Sequence, residues 1–458
     1  MKVIICGAGQ VGFNIARYLS REENDVTLID TEPRLIEQIS DTLDVQGVVG
    51  YASHPDVLEQ AGARDADLLI AVTHYDEVNM VACQVAHALF EVPRRIARVR
   101  SQSYLQRGYA ELFNRQNMAI DEIISPEIEV ARAIAYRLGI PGAFDAIPLC
   151  DGRITLVGLR CDEDCPVVDT PLRQLTELFP DLAMSVVAIR RGERDIVPSA
   201  EDQMLVGDEV YFVADTRHLK RALAAFGHEE PEARRLIVVG GGNIGTFLAE
   251  ILEQESPGVE IKLIEINRQR AERVARLLPG SVVIQGDALD PEILAEANVK
   301  ATETIVAVSN DDEVNILASL LAERHGCKRS IALINKPVYG SLIGQLGIDA
   351  VVSPRAITVS TILQHVRRGR IRSVHSVGDG LGEIIEVDAL PTSALVGRPL
   401  REAKLPPGVL IGAILRGDSM IVPRGDSVIK PEDRVVMFAI AKSVPLIEKM
   451  FSVKLEFF

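Results

Sequence analysis

Two short glycine clusters carry the residue types and spacing best suited to chemistry on phosphates. Gly7-Ala8-Gly9-Gln10-Val11-Gly12 follows the apolar run Val3–Cys6 and leads into a helical stretch beginning at Val11. The cluster returns 233 residues further on as Gly240-Gly241-Gly242-Asn243-Ile244-Gly245. In this setting the first glycine permits a tight turn, the second lets the backbone approach a pyrophosphate, and the third allows close packing of helix on strand. Anions then meet the free N–H groups and positive dipole end of the helix.

Other polar residues fall at the ends of apolar runs, where they would line the same crevice. Asp30 ends Val26–Ile29, 23 residues after Gly7, and Glu265 ends Lys262–Ile264, 25 residues after Gly240. A carboxylate there accepts the two ribose hydroxyls of an adenosine and repels a 2′-phosphate, which favours NAD-type or adenine nucleotides over NADP. Thr73 and Ser309 each end a strand ahead of acidic residues, where they line the ligand crevice or where a Thr, Asn or Asp caps the following helix, and both can hold at once. Arg98 and Arg100 follow Ile96-Ala97 and are suited to a bidentate phosphate clamp, or to pairing with surface acids. The corresponding positions of the second cluster's unit are Leu333 and Asn335. Asp287, in Gly286-Asp287-Ala288, is placed to accept from an adenine amino group, whereas the first unit has Gly50-Tyr51-Ala52. The two sites are therefore expected to differ in ligand or in strength. Against this stands a reading of both clusters as structural turns in domains that bind nothing.

These residues need strands and helices to position them, and the chain supplies the same set twice. Ala71–Asn79 returns as Ala307–Asn315, Ile123-Ile124-Ser125-Pro126 as Val351-Val352-Ser353-Pro354, and Gly207–Val210 as Pro431–Val435. The order is preserved throughout, so the chain reads as two copies, near 1–228 and 232–458, joined by the polar stretch Gly227–Glu232. In each copy, apolar strands first alternate with helices, the rhythm of a parallel sheet. Short strands separated by Gly, Pro and Asp turns follow. The expected fold is α/β: two tandem Rossmann-like doubly wound parallel-sheet domains, each followed by a small α+β domain. The boundaries are expected at 1–123, 143–227, 232–350 and 370–456. A helix between the parts (Glu127–Arg137, Ile357–Arg367) is expected to link subunits or to swap between them.

Composition removes several function classes. With 458 residues, a formal charge of −16 and no Trp, the chain offers neither the basic face nor the stacking platform of a nucleic-acid binder. Its one basic run, Arg367-Arg368-Gly369-Arg370 with Arg372, reads as a solvated loop or contact patch. The chain enters a strand directly from Met1 without the order of a signal peptide, and every long apolar run is interrupted, so a soluble protein is expected. The six cysteines are scattered, and Cys161–Cys165 lacks the second ligand pair of a zinc site, which suits a reducing cytoplasm and no metal. The alternative of an NAD-dependent oxidoreductase needs a proton-transfer group beside the nicotinamide. His218, His228, His365 and His375 show no evident carboxylate partner and do not recur between copies, so no catalytic residue is assigned.

Over its full length the sequence resembles the TrkA family, cytoplasmic regulatory subunits of bacterial Trk potassium-uptake systems, with an RCK (regulator of potassium conductance) N-domain and C-domain in each half. Gly7–Gly12, Asp30, Asn79–Ala86, Ile96–Arg100, Gly240–Gly245, Glu265, Asn310–Asn315 and Leu405-Pro406-Pro407-Gly408 carry the resemblance. It implies a homotetrameric ring of eight RCK units, peripheral on the cytoplasmic face of the inner membrane and bound to a TrkH- or TrkG-like channel subunit. It also implies that NAD(H) and ATP or ADP occupy the crevices and gate potassium uptake. On the family pattern the first site comprises Gly7–Val11, Asp30, Thr73, His74 and Arg98, and the second Gly240–Ile244 and Glu265.

Overall fold

The computed structural model describes all residues except 22–23, 106, 179–181, 340–345, 367–370, 379, 394, 441, 445 and 448–458. The basic run at 367–370 lies outside the described residues, and Arg372 pairs with Asp388 at 2.7 Å.

The first copy opens with β1 (Lys2–Cys6), α1 (Gln10–Arg21), β2 (Asp25–Asp30), α2 (Pro33–Thr42), β3 (Gln46–Val49), α3 (Pro55–Gln60), β4 (Leu68–Ala71), α4 (Asp76–Phe90), β5 (Arg94–Arg98), α5 (Gln102–Leu105), β6 (Glu122–Ile124) and α6 (Pro126–Leu138). It continues with β7 (Ala143–Leu149), β8 (Ile154–Arg160), α7 (Leu172–Leu178), β9 (Met184–Arg191), β10 (Arg194–Ile196), β11 (Glu209–Asp215) and α8 (Leu219–Ala225). The second copy repeats the order. Its first part holds β12 (Arg235–Val239), α9 (Asn243–Glu255), β13 (Glu260–Glu265), α10 (Arg268–Leu277), β14 (Val282–Gln285), α11 (Pro291–Glu296), β15 (Thr304–Ala307), α12 (Asp312–Arg324), β16 (Arg329–Leu333), β17 (Ala350–Val352) and α13 (Pro354–Val366). Strands β18 (Ile371–Val377), β19 (Gly382–Asp388), β20 (Val409–Arg416), β21 (Ser419–Ile421) and β22 (Arg434–Ala439) complete it.

Two of the sheets have six parallel strands, ordered β3-β2-β1-β4-β5-β6 and β14-β13-β12-β15-β16-β17. Their central strands are apolar on both faces, as burial by helices on both sides demands. The order reverses between β1 and β4, and between β12 and β15, so each sheet has a switch point where adjacent loops diverge and leave a crevice. The other two sheets are antiparallel and share one topology, β7-β8-β11-β9-β10 and β18-β19-β22-β20-β21. The expected α/β architecture is the observed one.

The chain divides into two compact units. The first holds residues 1–129 together with 354–367, so α13 of the second copy packs on the first parallel sheet. Its Val359, Ile362, Leu363 and Val366 are buried in one cluster with Ile15, Ala16 and Leu19 of α1. Within the single chain, this helix of the second copy thus belongs to the unit of the first. The second unit holds 130–353 and 368–458. In it Arg137 near the end of α6 donates to the carbonyl of Val351 in β17 (3.1 Å). The two antiparallel sheets share a core in which Leu149, Leu156 and Tyr211 meet Ile384, Ala413 and Phe438. Among the described residues no helix is long and apolar enough to cross a membrane.

The glycine turns impose the tightest steric requirement on the parallel-sheet domains. Gly7 and Gly240 adopt φ of 110° and 105°, which L side chains rarely tolerate. A Cβ on Gly12 would stand 1.8 Å from the Gly7 carbonyl oxygen, and one on Gly245 2.0 Å from that of Gly240. We predict that Gly12→Ala destabilises the first parallel-sheet domain by about 3 kcal/mol. Hydrogen exchange of β1 and α1 in urea checks this; protection equal to that of the unsubstituted chain would contradict it.

Candidate functional site

Both crevices open at the carboxyl edges of the parallel strands, and the glycine loops form their floors. In the first, Phe13 N–H donates to the Gly9 carbonyl (2.8 Å), so the N–H groups of Gln10, Val11 and Gly12 lie ahead of the first intrahelical bond. In the second, Thr246 N–H donates to Gly242 (3.0 Å), leaving Asn243, Ile244 and Gly245 in that position. A Cβ on Gly9 or on Gly242 would meet no protein atom within 4 Å. The middle glycine thus borders open space in both loops, where a phosphate could approach the backbone.

Asp30 and Glu265 hold these loops by the same arrangement. Asp30 accepts from Ala8 N–H (2.7 Å) through one carboxylate oxygen and from Glu32 N–H (2.9 Å) through the other. Glu265 accepts from Gly241 N–H (2.8 Å) and Asn267 N–H (2.8 Å). A carboxylate has about four lone-pair sites, so fixing two leaves acceptors for a diol. The structural and the binding readings are therefore compatible. The two carboxylates differ in access. Asp30 is half-buried, while Glu265 is only 3% exposed and has Arg270 at 3.5 Å.

Thr73 and Ser309 do not cap the following helices. The residues preceding α4 and α12 are Tyr75, which makes no side-chain cap, and Asp311, which accepts from Val314 N–H (3.0 Å). Thr73 is gripped instead by Asn79. The Asn79 Oδ1 accepts from the Thr73 N–H (2.8 Å) and hydroxyl (2.7 Å), and Nδ2 donates to the carbonyls of Thr73 (3.2 Å) and Arg98 (2.9 Å). Asn315 likewise accepts from Ser309 N–H (2.8 Å) and donates to the carbonyls of Ser309 (3.0 Å) and Leu333 (2.8 Å). Both amides are fully buried and tie the end of one central strand to the next. One helical turn earlier, Asp76 accepts from the N–H groups of Arg100 (3.0 Å) and Ser101 (2.7 Å), and Asp312 from those of Asn335 (2.9 Å) and Lys336 (2.8 Å). The available signal for these bracing residues is the recurrence of Asp76-x-x-Asn79 as Asp312-x-x-Asn315 within the repeated stretches.

Arg98 and Arg100 separate in role. Arg100 Nε donates to Glu127 Oε1 at 2.6 Å, the surface-acid pairing that was the alternative to a phosphate clamp. The Arg98 Nε is buried without a hydrogen-bond partner, as are Ser125 Oγ and Glu127 Oε2, which follow Ile124, the partner of Arg98 on the adjacent strand. Burial, followed by repulsion from Arg100, lowers the Arg98 pKa, while Glu127 and Asp76 raise it. A half-buried guanidinium whose Nε is buried and unsatisfied fits an anion at this edge. His74 is exposed, and the side chain of Tyr51 (58% exposed) lies 5.2 Å from that of His54. Asp287 is exposed and accepts from Leu289 N–H (2.9 Å).

The histidines differ from the expectation of no carboxylate partner. His365 Nδ1 lies 3.4 Å from Glu122 and His228 Nδ1 3.0 Å from Glu230. Glu122 begins β6, and the His228 ring lies against Gly142, beside Ala143, whose carbonyl accepts from Arg329 at the start of β16; both pairs thus belong to the amino edge, opposite the crevices. Burial pushes the His375 pKa down to about 4. All six cysteines are buried free thiols, and no metal-binding group occurs among the described residues.

Fold and site together define a duplicated Rossmann-type protein with paired antiparallel C-domains. The TrkA-N domain model matches residues 3–126 and 236–354, and the TrkA-C domain model 156–227 and 384–452. The chain is 53% identical over 458 residues to the Trk system potassium uptake protein TrkA of Azorhizobium caulinodans, covering 100% of both chains. It belongs to the TrkA family. Two solved structures share the fold: the GsuK RCK domain (TM-score 0.60, 18% identity, 98% of this chain and 94% of that one) and the GsuK channel bound to NAD (TM-score 0.60, 17% identity, 98% and 78%).

We predict that Asn79→Ala destabilises the β4 and β5 ends by about 2–3 kcal/mol, since it strands a buried N–H and two carbonyls. Native-state hydrogen exchange at Thr73 and Val99 reads this directly. An unchanged exchange rate at both would show that the amide holds nothing in place.

Proposed function

We propose that this protein is the nucleotide-sensing regulatory subunit of a Trk-type potassium-uptake system and not an enzyme. Two glycine loops with an acidic residue at the end of the next strand carry this reading, and the family fits it. We assign the first nucleotide site to Gly7–Gly12, Asp30, Thr73, His74 and Arg98, with Arg100 at its margin. The second comprises Gly240–Gly245, Glu265, Asp287 and Ser309. NAD(H) and ATP or ADP are the proposed ligands, in line with the NAD of the GsuK channel structure. In the first site Asp30 would take the ribose hydroxyls and Arg98 a phosphate. Glu265 would take the ribose only as Arg270 yields, so the second site has a different ligand preference. The proposed domain limits are 1–123, 143–227, 232–350 and 370–456.

By this reading four chains assemble on the cytoplasmic face of the inner membrane against a TrkH- or TrkG-like subunit. The ligand gates potassium flow by binding two ring shapes unequally. The alternative of an oxidoreductase is disfavoured because both histidine–carboxylate pairs belong to the amino edge, away from the glycine loops.

Two substitutions separate binding from folding. Gly9→Ala meets no protein atom and should leave stability within about 1 kcal/mol. Filling the phosphate approach should nevertheless weaken nucleotide binding at the first site by roughly 100-fold, about 3 kcal/mol. Asp30→Ala should weaken NADH and ATP together by about ten-fold and blunt the flux response in reconstituted channels. Isothermal titration with ATP, ADP and NADH, run beside a turnover assay, decides the matter. Silence with every nucleotide defeats the sensor reading, and turnover of NADH with a substrate revives the enzyme.

A further inference from the structure

Besides the His365–Glu122 pair, a polar contact in the first unit that crosses the duplication reaches the glycine loop. Arg355, near the start of α13, donates from Nη1 to Oε1 of Gln10 at 2.8 Å. Gln10 is the fourth residue of the first glycine loop and the first residue of α1. The second copy of the chain therefore reaches onto the mouth of the first copy's crevice. The contact is held by apolar packing along the rest of α13, whose Val359, Ile362, Leu363 and Val366 are buried against the first sheet.

Three features make this arginine more than a surface residue. It is half-buried, and among the described residues no carboxylate lies within ion-pair distance of it. Its charge rests on a neutral amide oxygen, using one of five guanidinium donors. Its duplicate carries the opposite charge: Ser353-Pro354-Arg355 matches Ser125-Pro126-Glu127, and Glu127 is bound by Arg100. An uncompensated cation beside a loop that presents free N–H groups is suited to a polyanion, because a charge-assisted bond to phosphate is about twice as strong as one to an amide.

We propose that Arg355 completes the first nucleotide site by releasing Gln10 and binding the phosphates beyond the one nearest the ribose. The site then prefers an adenine nucleotide with two or three phosphates, and its occupant clamps a helix of the second copy onto the first. This rests on the reading of Gly7–Gly12 as a nucleotide loop. The charge carries the specificity. ATP and ADP present terminal phosphates with additional charge, whereas AMP has none beyond the first and NADH buries its pyrophosphate between two riboses.

The test titrates the full-length protein with ATP, ADP, AMP and NADH while hydrogen exchange is followed at residues 7–13, which reports the first site alone. Arg355→Gln should weaken ATP and ADP by roughly ten-fold or more, the loss of one charge-assisted contact, and change AMP and NADH by less than about two-fold. Arg355→Lys should restore most of the ATP affinity. ATP should also slow exchange in residues 354–366 of the unsubstituted chain and not of Arg355→Gln. Equal weakening of all four nucleotides would overturn the proposal by making Arg355 a packing residue. So would unchanged ATP affinity in Arg355→Gln when Asp30→Ala still weakens it by about ten-fold, and in that case the nucleotide reading survives. Failure of the unsubstituted chain to bind any nucleotide overturns both.

Discussion

The approach of the Gly7 carbonyl to the Cα of Gly12 is the constraint on which the rest of the first domain depends. It can occur only where residue 12 lacks a side chain and residue 7 tolerates positive φ, and both hold again at Gly245 and Gly240. Closing this turn points α1 at the crevice from its first residue, so its unbonded N–H groups face outward along the carboxyl edge. It also brings Ala8 N–H within reach of Asp30, and Gly241 N–H within reach of Glu265. The acidic residues then stiffen the loop that the glycines made possible. A ligand entering here would meet a prepared set of donors and would not have to order one.

The elements that carry this geometry were legible because their signals are local. The strand before each glycine cluster, the helix after it and the acidic end of the second strand are contiguous patterns. Duplication doubled the sample on which they could be read. Several features were not legible because they depend on pairs of residues brought together by the sheet. Nothing in the run Asp76–Asn79 announces that Asn79 will hold Thr73 and the Arg98 carbonyl at once, since the second partner arrives on the adjacent strand. Of the capping residue types considered, an Asp, Asp311, caps α12, and no side chain caps α4. The histidine partners were invisible for the same reason. Glu122 and His365 lie in different copies and meet only because α13 is exchanged.

The division of labour between Arg98 and Arg100 shows how burial resolves what residue type leaves open. Both were suited to a phosphate or to an acid. Arg100 sits at the exposed end, where its guanidinium finds Glu127, while Arg98 is withdrawn far enough for desolvation to lower its pKa. A half-buried guanidinium whose Nε is buried and unsatisfied costs the folded state stability that a bound anion would restore. In the second copy Leu333 and Asn335 stand in place of the two arginines, while Asp312 holds the backbone of Asn335 and Lys336 as Asp76 holds that of Arg100 and Ser101. The two edges share their backbone bracing and differ in the side chains they present.

Duplication within one chain allows that inequality to be directional. In an assembly of identical single-copy subunits, an exchanged helix would carry the same first-turn residue in both directions. Here α6 and α13 diverged, one with Glu127 and the other with Arg355, because each is encoded separately. The packing face of α13 stays apolar and fixes its place on the first sheet, which leaves its first turn free to vary in charge without loss of the fold. An effect of occupancy at the first crevice would thus be transmitted along α13 to the second copy, and a cation at its start sets the sign of that coupling: more phosphate charge holds the helix more firmly. The fold supplies the connection, and on the proposed reading one residue at the end of one helix would determine to which ligand it responds.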